Sequence, residues 1–318
     1  MIISSESYRR LASRAPATIQ GGRAQYLTAE QTADVSAPKV SAHVYSDEAA
    51  KAFDAAAPTG TIDLDRSSTL GSGYPATTSN LLARYLVIRE GEEFEFAAAA
   101  TTVLCYAVKG SGRSFQEDEV IEWETGDAFL FPGGEAILNE ATDGDAVLFV
   151  VTDEPFVSMM GCSVASFEDA QVKSTHYVGK TVAARLEDVA AGSGRPPERM
   201  NLNFASAPFE DSGCVAPMMA AGIATLAAGA NQPEHCHDSD TISLCLECNG
   251  GYSSVEGSRI DWLANAVIVT PAGAAHSQHS GGDGRMFSFF VQDRGPRPVR
   301  TWEPGPNQSE EPDAEAGT

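Results

Sequence analysis

The chain has 318 residues, enough for two domains of ordinary size, and 42% of them are hydrophobic. Its formal net charge is −23, from 44 acidic against 21 basic residues, so its field repels nucleic-acid phosphates and anionic membranes. No apolar run approaches the roughly 18 residues that span a bilayer. The six cysteines form no dense disulfide framework, which suits a reducing compartment. These features predict a cytoplasmic protein that binds neither nucleic acid nor membrane.

Residues 1–80 are rich in Ala, Ser and Thr and show no clear core pattern. Parts of this stretch, such as 47–57, are compatible with short helices. We therefore predict a mostly irregular or helical N-terminal arm that packs on a barrel or on a neighbouring subunit.

Short apolar runs bounded by Gly, Pro or acidic turns fill residues 81–156. Evenly spaced short strands without long helices between them predict an antiparallel sandwich or barrel. The stretch 157–215 is less regular and contains the Gly/Pro-rich AAGSGRPPER, so we assign it to interdomain structure and linker. The strand pattern returns over 216–296, and the acidic residues 297–318 are predicted to be disordered.

The two strand-rich stretches are similar to each other. An offset of 138 residues superposes the GSG at Gly110 on the CNG at Cys248. One inserted residue then aligns the IEW at Ile121 with the IDW at Ile260. The matches are weak in identity but consistent in order, and they predict a duplicated all-β barrel.

The histidines are concentrated in the second repeat, where four of the six fall within the 45 residues from His235 to His279. His235 and His237 are two positions apart, so on a strand both imidazoles point to the same face. A turn after the apolar strand VIVT can bring His276 opposite this pair. Three neutral imidazoles suit iron, zinc, copper or nickel and leave coordination positions open. The pattern predicts an open metal site formed by His235, His237 and His276.

In the first repeat, the same alignment places apolar residues at the three ligand positions: Ala97 and Ala99 at the offset of 138, and Ile137 after the inserted residue. Because these side chains carry no donor atoms, the first barrel is predicted to be free of metal. Its expected roles are packing, dimerisation or shaping the other pocket.

Several motifs carry a family resemblance: PEHCH, GGYSSVEGSRIDW and VTPAGAAH. They resemble the two motifs of the cupin superfamily, and in detail the bicupin ring-cleaving dioxygenases that act on gentisate, salicylate or 1-hydroxy-2-naphthoate. The stretches RYLVIREGEEF, WETGDAFLFPGG and DAVLFVVTDEP are similar to the metal-free barrel of that family. The resemblance covers residues 80–160 and 215–295. It implies an all-β chain with tandem cupin barrels, each a double-stranded β-helix or jelly roll.

The resemblance also implies a ferrous ion held by three histidines, without the glutamate that many other cupins add. No Glu follows His237 until Glu247, and Asp240 stays open as a fourth ligand. The metal-bearing barrel comes second here, whereas in the family it usually comes first. Ser243 stands where the family tends to place an arginine near the substrate carboxylate.

Four further side chains are candidates for orienting the substrate or moving a proton: His279, Gln278, Glu234 and Asp261. In the family a second histidine follows the last ligand by two positions, and here Gln278 occupies that slot while His279 comes next. Arg259 and Arg285 are candidates for pairing with a carboxylate.

The leading function implied by the resemblance is an iron(II)-dependent dioxygenase that cleaves an aromatic or related oxygen-bearing substrate with O2. Three neutral ligands leave the metal charge uncancelled, which favours an anionic, chelating substrate. One alternative is a non-oxidative isomerase, lyase or decarboxylase, because the same ligands accept Zn, Ni or Mn. Another is a non-enzymatic cupin that binds a small ligand. We expect a homo-oligomer, dimer or tetramer.

Overall fold

A computed structural model describes residues 18–33, 40–192, 198–282 and 284–295. The chain divides into two units, residues 1–39 and 40–318. The described part of the first unit holds two short helices, α1 (Ile19–Arg23) and α2 (Ala29–Ala33). The tail predicted over 297–318 lies outside the described residues. No described helix is long and apolar enough to cross a membrane.

The second unit is built mainly from strands. Its first half comprises β1 (His43–Tyr45), α3 (Ser46–Ala52), β2 (Gly60–Asp63), α4 (Ser67–Leu70), β3 (Leu82–Ile88), β4 (Glu93–Phe96), β5 (Thr102–Lys109), β6 (Ser111–Gln116), β7 (Glu119–Glu124), β8 (Ala128–Pro132), β9 (Ile137–Ala141), β10 (Ala146–Thr152) and α5 (Glu154–Met160).

The second half has a matching series of strands after one longer helix. It comprises β11 (Thr175–Tyr177), α6 (Gly179–Gly192), β12 (Arg199–Phe204), a 3₁₀ helix (Ala207–Ser212), β13 (Met219–Leu226), β14 (Thr241–Cys248), β15 (Tyr252–Val255), β16 (Ser258–Asp261), β17 (Val267–Thr270), β18 (His276–His279) and β19 (Met286–Asp293).

The strands form two similar modules, the N-module (β3–β10) and the C-module (β13–β19). The N-module has a six-stranded sheet, in the order β11-β8-β5-β10-β3-β2, and a four-stranded sheet, β4-β9-β6-β7. The C-module has a six-stranded sheet, β1-β17-β14-β19-β13-β12, and a three-stranded sheet, β16-β15-β18. The fold is therefore all-β with a duplicated two-sheet architecture, as the sequence predicts.

The two six-stranded sheets pack against each other and form the largest hydrophobic core. Alternate residues of β10 reach this core, namely Val147, Phe149 and Val151, while the residues between them fill the inside of the N-module. Across the interface Tyr106 stacks on Phe289 with ring centres 4.7 Å apart. Strands buried on both faces require apolar residues at every position, which explains the continuous apolar runs in the sequence.

Segments outside the two predicted barrels complete both large sheets. From residues 1–80, β2 pairs with β3 in the N-module and β1 pairs with β17 in the C-module. From residues 157–215, β11 extends the N-module sheet and β12 extends the C-module sheet. Most of these edge strands have only three or four residues, too few to show a clear alternation in the sequence.

A hydrogen bond repeated in both modules supports the duplication. Trp123 Nε1 donates to Ser114 Oγ at 2.9 Å, and Trp262 Nε1 donates to Ser253 Oγ at 2.7 Å. Both indoles are buried, so each hydrogen bond lies in the interior of its module. Each residue of the first pair lies 139 positions before its counterpart in the second.

Candidate metal centre

His235, His237 and His276 lie together in the C-module. Their ring centres are 4.3 Å apart for His235 and His276, 4.8 Å for His237 and His276, and 6.2 Å for His235 and His237. Imidazoles that share one ion at a nitrogen–metal distance of about 2.1 Å have ring centres roughly 4.5–5.5 Å apart. The three spacings lie within or close to this range. Modest rotations of the rings would therefore allow all three to bind one ion.

Backbone pairing positions the three histidines. His276 is the first residue of β18, and His235 lies in the segment between β13 and β14 that runs beside it. The two residues exchange backbone hydrogen bonds, with N···O distances of 2.9 and 2.8 Å. The carbonyl of His237 accepts from the backbone nitrogen of Gly273 at 2.7 Å, which ties the pair of histidines to the turn that precedes His276.

Each imidazole is oriented by a carbonyl two residues away along the chain. The Nδ1 atoms lie 3.1, 2.7 and 2.8 Å from the carbonyl oxygens in the pairs His235–Pro233, His237–Ser239 and His276–Ala274. Because a carbonyl only accepts, the Nδ1 atoms of His237 and His276 carry the proton and their Nε2 atoms keep the lone pair. His235 lies between two acceptors, Pro233 O at Nδ1 and Gln232 Oε1 at Nε2, so its Nε2 lone pair becomes available only when the Gln232 amide moves away. Burial is the main cause that lowers the pKa of all three rings, so they are neutral at neutral pH.

The Nε2 atoms of two of these rings have polar neighbours. Nε2 of His235 lies 3.2 Å from the side-chain amide of Gln232, and Nε2 of His237 lies 3.2 Å from Thr241 Oγ1. With the rings in these positions, no group of three described His, Cys, Asp or Glu side chains has ready-made metal-ligand geometry. The chemistry of the donors, three neutral imidazoles, nevertheless fits a divalent transition metal.

Asp240, the open fourth ligand, is engaged elsewhere. Its Oδ1 accepts from the backbone nitrogen of Ala272 at 2.8 Å, and its own nitrogen donates to Asp293 Oδ1 at 3.0 Å. The carboxylate of Asp240 therefore braces the turn that leads to His276. Among the described residues, Asp240 forms no metal-binding group with two other His, Cys, Asp or Glu side chains.

The candidates Gln278 and His279 lie on opposite faces of β18. Side chains alternate along a strand, so Gln278 shares the face of His276 and His279 points the other way. His279 stacks on Tyr252 with ring centres 4.5 Å apart, and its Nδ1 lies 2.7 Å from Asn231 Oδ1. The structure thus brings Gln278, and not His279, to the side of the histidine cluster.

Of the charged candidates, the structure brings only Glu234 close to the cluster. Glu234 is exposed beside His235, and its charge partly offsets the lowered pKa of His276. Asp261 forms an exposed ion pair with Arg259 at 2.7 Å. Arg285 forms another, also at 2.7 Å, with Glu247.

Sequence reasoning did not identify Arg199, a cation beside His235 and His276. Its positive charge contributes to lowering the pKa of both His235 and His276. In the amide orientation that satisfies both partners, its terminal nitrogens donate to Gln232 Oε1 at 2.9 and 3.1 Å. Although the side chain as a whole is exposed, partial burial lowers the pKa of Arg199. Arg199 forms no salt bridge with any carboxylate in the part of the chain that the structure describes.

The sequence did contain a signal for Arg199. The stretch RMNLNF of β12 alternates polar and apolar residues. Its apolar members pack against the core between the modules, so Arg199, Asn201 and Asn203 point to the opposite face. This alternation lies within the segment that the sequence assigns to interdomain structure, and it was therefore missed.

Strand pairing corrects the predicted counterparts of the ligands in the N-module. Phe96 faces Ile137 across β4 and β9, as His235 faces His276 in the C-module. The local offset is therefore 139 rather than 138 residues. The counterpart of His235 is Phe96, not Ala97 as predicted.

The same shift makes Ala98 the counterpart of His237 in place of Ala99. Ala97 and Ala99 are exposed, whereas Phe96, Ala98 and Ile137 all belong to the N-module core. The corrected counterparts are apolar and carry no donor atom for a metal.

The interior wall that faces the histidines differs between the modules. In the N-module, the cross-strand pair Leu148 and Leu86 helps to fill the core. The matching pair in the C-module is Ser288 and Ala224. The side chains at this position are therefore smaller in the C-module: Ser288 is buried, and Ala224 remains half-buried although it lies within a six-stranded sheet.

Comparisons with known proteins identify this architecture. No family model matches the sequence, and no curated protein does either. The chain is similar to the crystal structure of salicylate 1,2-dioxygenase from Pseudaminobacter salicylatoxidans, with a TM-score of 0.69 and 15% identity over 90% of this chain and 92% of that one. For adducts of that enzyme with gentisate, the TM-score is 0.67 and the identity 14%, over 91% of this chain and 88% of the other. The chain therefore has the cupin fold, in the two-module form of salicylate 1,2-dioxygenase.

Proposed function

We propose that the protein is an iron(II)-dependent dioxygenase that uses O2 to cleave a small aromatic or related carboxylate carrying oxygen substituents. The observation that carries this proposal is the convergence of His235, His237 and His276, three neutral imidazoles, in the C-module. The shared fold adds support, because the similar structures are of a salicylate 1,2-dioxygenase and its adducts with gentisate.

The three histidines would hold the iron through Nε2. The ion would supply the redox chemistry that joins O2 to the substrate and a charge that favours an anionic chelate. The carbonyls bound to the Nδ1 atoms keep the rings in the required tautomer and orientation. Thr241 and Gln232 would give up their contacts with Nε2 of His237 and His235.

Arg199 would bind the substrate carboxylate. Its described side-chain partners are the neutral amides of Gln232 and Asn201, so its charge is available to an anion. A guanidinium forms two parallel hydrogen bonds with a carboxylate, which fixes the orientation of the ligand as well as its position. A substrate held in this way would present its other oxygen substituents to the histidines.

Gln278 would orient the substrate from the face of β18 that carries His276. An amide both donates and accepts hydrogen bonds but does not exchange a proton near neutral pH. His279 is assigned no contact with the substrate, because its two ring nitrogens lie 2.7 and 2.8 Å from Asn231 Oδ1 and Ser277 Oγ. Asp261 is also assigned no contact with the substrate, because its carboxylate is paired with Arg259 at the surface.

The test uses the full chain, purified and loaded with Fe(II) without oxygen. Metal content and O2 uptake are measured with salicylate, gentisate and 1-hydroxy-2-naphthoate, together with the absorbance of the ring-cleaved product. We expect one mole of iron per chain and O2 uptake that depends on substrate. Turnover without O2 would instead indicate a non-oxidative metal enzyme, and iron content unchanged by replacing His235, His237 and His276 singly would reject the site.

A further inference from the structure

We propose that Gln232 takes the place of the substrate carboxylate in the free site. Its side-chain amide accepts hydrogen bonds from Arg199 there and is displaced when an anion binds. Gln232 would thus set how tightly the site holds carboxylates. This inference rests on the proposed function for the identity of the competing ligand, whereas the contact between Gln232 and Arg199 is independent of it.

The position of Gln232 is fixed by its surroundings. The residue is only 6% exposed, and its backbone nitrogen donates to the carbonyl of Gln278 on β18 at 2.8 Å. Its amide lies between the guanidinium of Arg199, at 2.9 and 3.1 Å, and Nε2 of His235, at 3.2 Å. The amide therefore lies where a ligand would bridge the cation and the metal-binding edge of His235.

The amide satisfies the geometry of Arg199 but not its charge. Gln232 Oε1 accepts from both terminal nitrogens of the guanidinium, as one oxygen of a carboxylate does. A neutral amide oxygen leaves the positive charge of the guanidinium uncancelled, whereas a carboxylate forms an ion pair with it through charge-assisted hydrogen bonds. An incoming carboxylate is therefore the better partner, and it must first break the contact that Gln232 makes.

Two substitutions at this position have opposite expected effects. Gln232→Leu removes the competing acceptor and leaves Arg199 open to an anion. Gln232→Glu supplies a permanent carboxylate that pairs with the guanidinium. If Gln232 were instead a direct contact for the substrate, Gln232→Leu would weaken binding.

The first measurement is independent of any substrate. Modification of Arg199 by phenylglyoxal is followed by peptide mass spectrometry in the full-length protein. We expect Arg199 to react about threefold or more faster in Gln232→Leu, and about tenfold more slowly in Gln232→Glu. Arg259 and Arg285 serve as internal controls, since their ion pairs with Asp261 and Glu247 are unchanged.

The second measurement is calorimetric binding of salicylate to the iron-loaded protein without oxygen. We expect binding about threefold tighter in Gln232→Leu and at least tenfold weaker in Gln232→Glu, with equal iron content in both. Gln232→Met, a closer match in shape, replaces the leucine variant if that chain does not fold.

The outcomes separate the two proposals. Slower labelling of Arg199 in Gln232→Leu, or equal labelling in Gln232→Glu and the natural chain, would overturn the role of Gln232. The expected labelling without any binding of salicylate would retain the Gln232 contact and count against the proposed substrate class.

Discussion

Asp293 accepts a hydrogen bond from the backbone nitrogen of Asp240 at 3.0 Å, and both carboxyl groups are buried. Burial, followed by the charge of Asp240, raises the pKa of Asp293 from 3.8 to about 6. Its other oxygen accepts from Asn80 Nδ2 at 3.0 Å. The folded chain thus holds a proton on Asp293 over a range in which the unfolded chain has lost it.

The first prediction concerns stability against pH. Because the folded-state pKa of Asp293 lies above its unfolded value, the free energy of unfolding falls as pH rises from about 4 to above 6. We expect a loss of about 1–3 kcal/mol over this window, measured by urea denaturation at closely spaced pH values. Asp293→Asn removes most of this slope, and the exposed Asp261→Asn leaves it in place. A slope unchanged by Asp293→Asn would contradict the assignment.

The second prediction concerns metal and thermal stability. Zinc, a probe without redox chemistry, should raise the midpoint of thermal unfolding by several degrees, since a ligand at about 100 times its Kd contributes ~2.7 kcal/mol. His276→Ala should abolish the shift, because it removes one of three ligands. His279→Ala, on the opposite face of the same strand, should retain it. A chelator should reverse the shift in both the natural chain and His279→Ala, and an equal shift in all three proteins would place the metal elsewhere.

The general architecture was predictable from the sequence because its signals are local. Continuous apolar runs such as that of β10 arise from strands buried on both faces, and the repeat places them in matching order. The spacing of His235 and His237 indicates a shared face without knowledge of the rest of the chain.

Features that depend on register were not predictable in the same way. A single inserted residue changes the offset from 138 to 139, and the sequence alone does not reveal its position. Arg199 reaches the histidines only because the edge strand β12 joins the C-module sheet. The orientation of His279, in contrast, was predictable: side chains alternate along a strand, so His279, three residues after His276, points away from the site.

The third prediction concerns Arg199. Arg199→Met should weaken binding of a carboxylate substrate by about 10- to 100-fold, the effect of losing a charge-assisted pair worth about 1.5–3 kcal/mol. The same change should alter binding of a phenol without a carboxylate by less than about threefold, since no ionic contact is lost. Arg285→Met, which breaks an exposed ion pair, is the matched control. Equal losses for both ligands would indicate a structural role for Arg199 instead.

The fourth prediction concerns the space inside the C-module. Ser288→Leu combined with Ala224→Leu restores the residues that fill the N-module at Leu148 and Leu86. The added side chains should project into the space in front of the histidines, so we expect binding of salicylate to weaken at least tenfold while iron content is retained. Burial of the added apolar surface should raise the free energy of unfolding by about 1–3 kcal/mol if the space is empty, and lower it if the wall is already close-packed. Calorimetry and urea denaturation distinguish these outcomes, with the smaller change Ala224→Ser as the control. Unchanged binding in a stable double variant would show that the substrate does not use this wall, and Arg199 and Gln278 alone would then have to define its position.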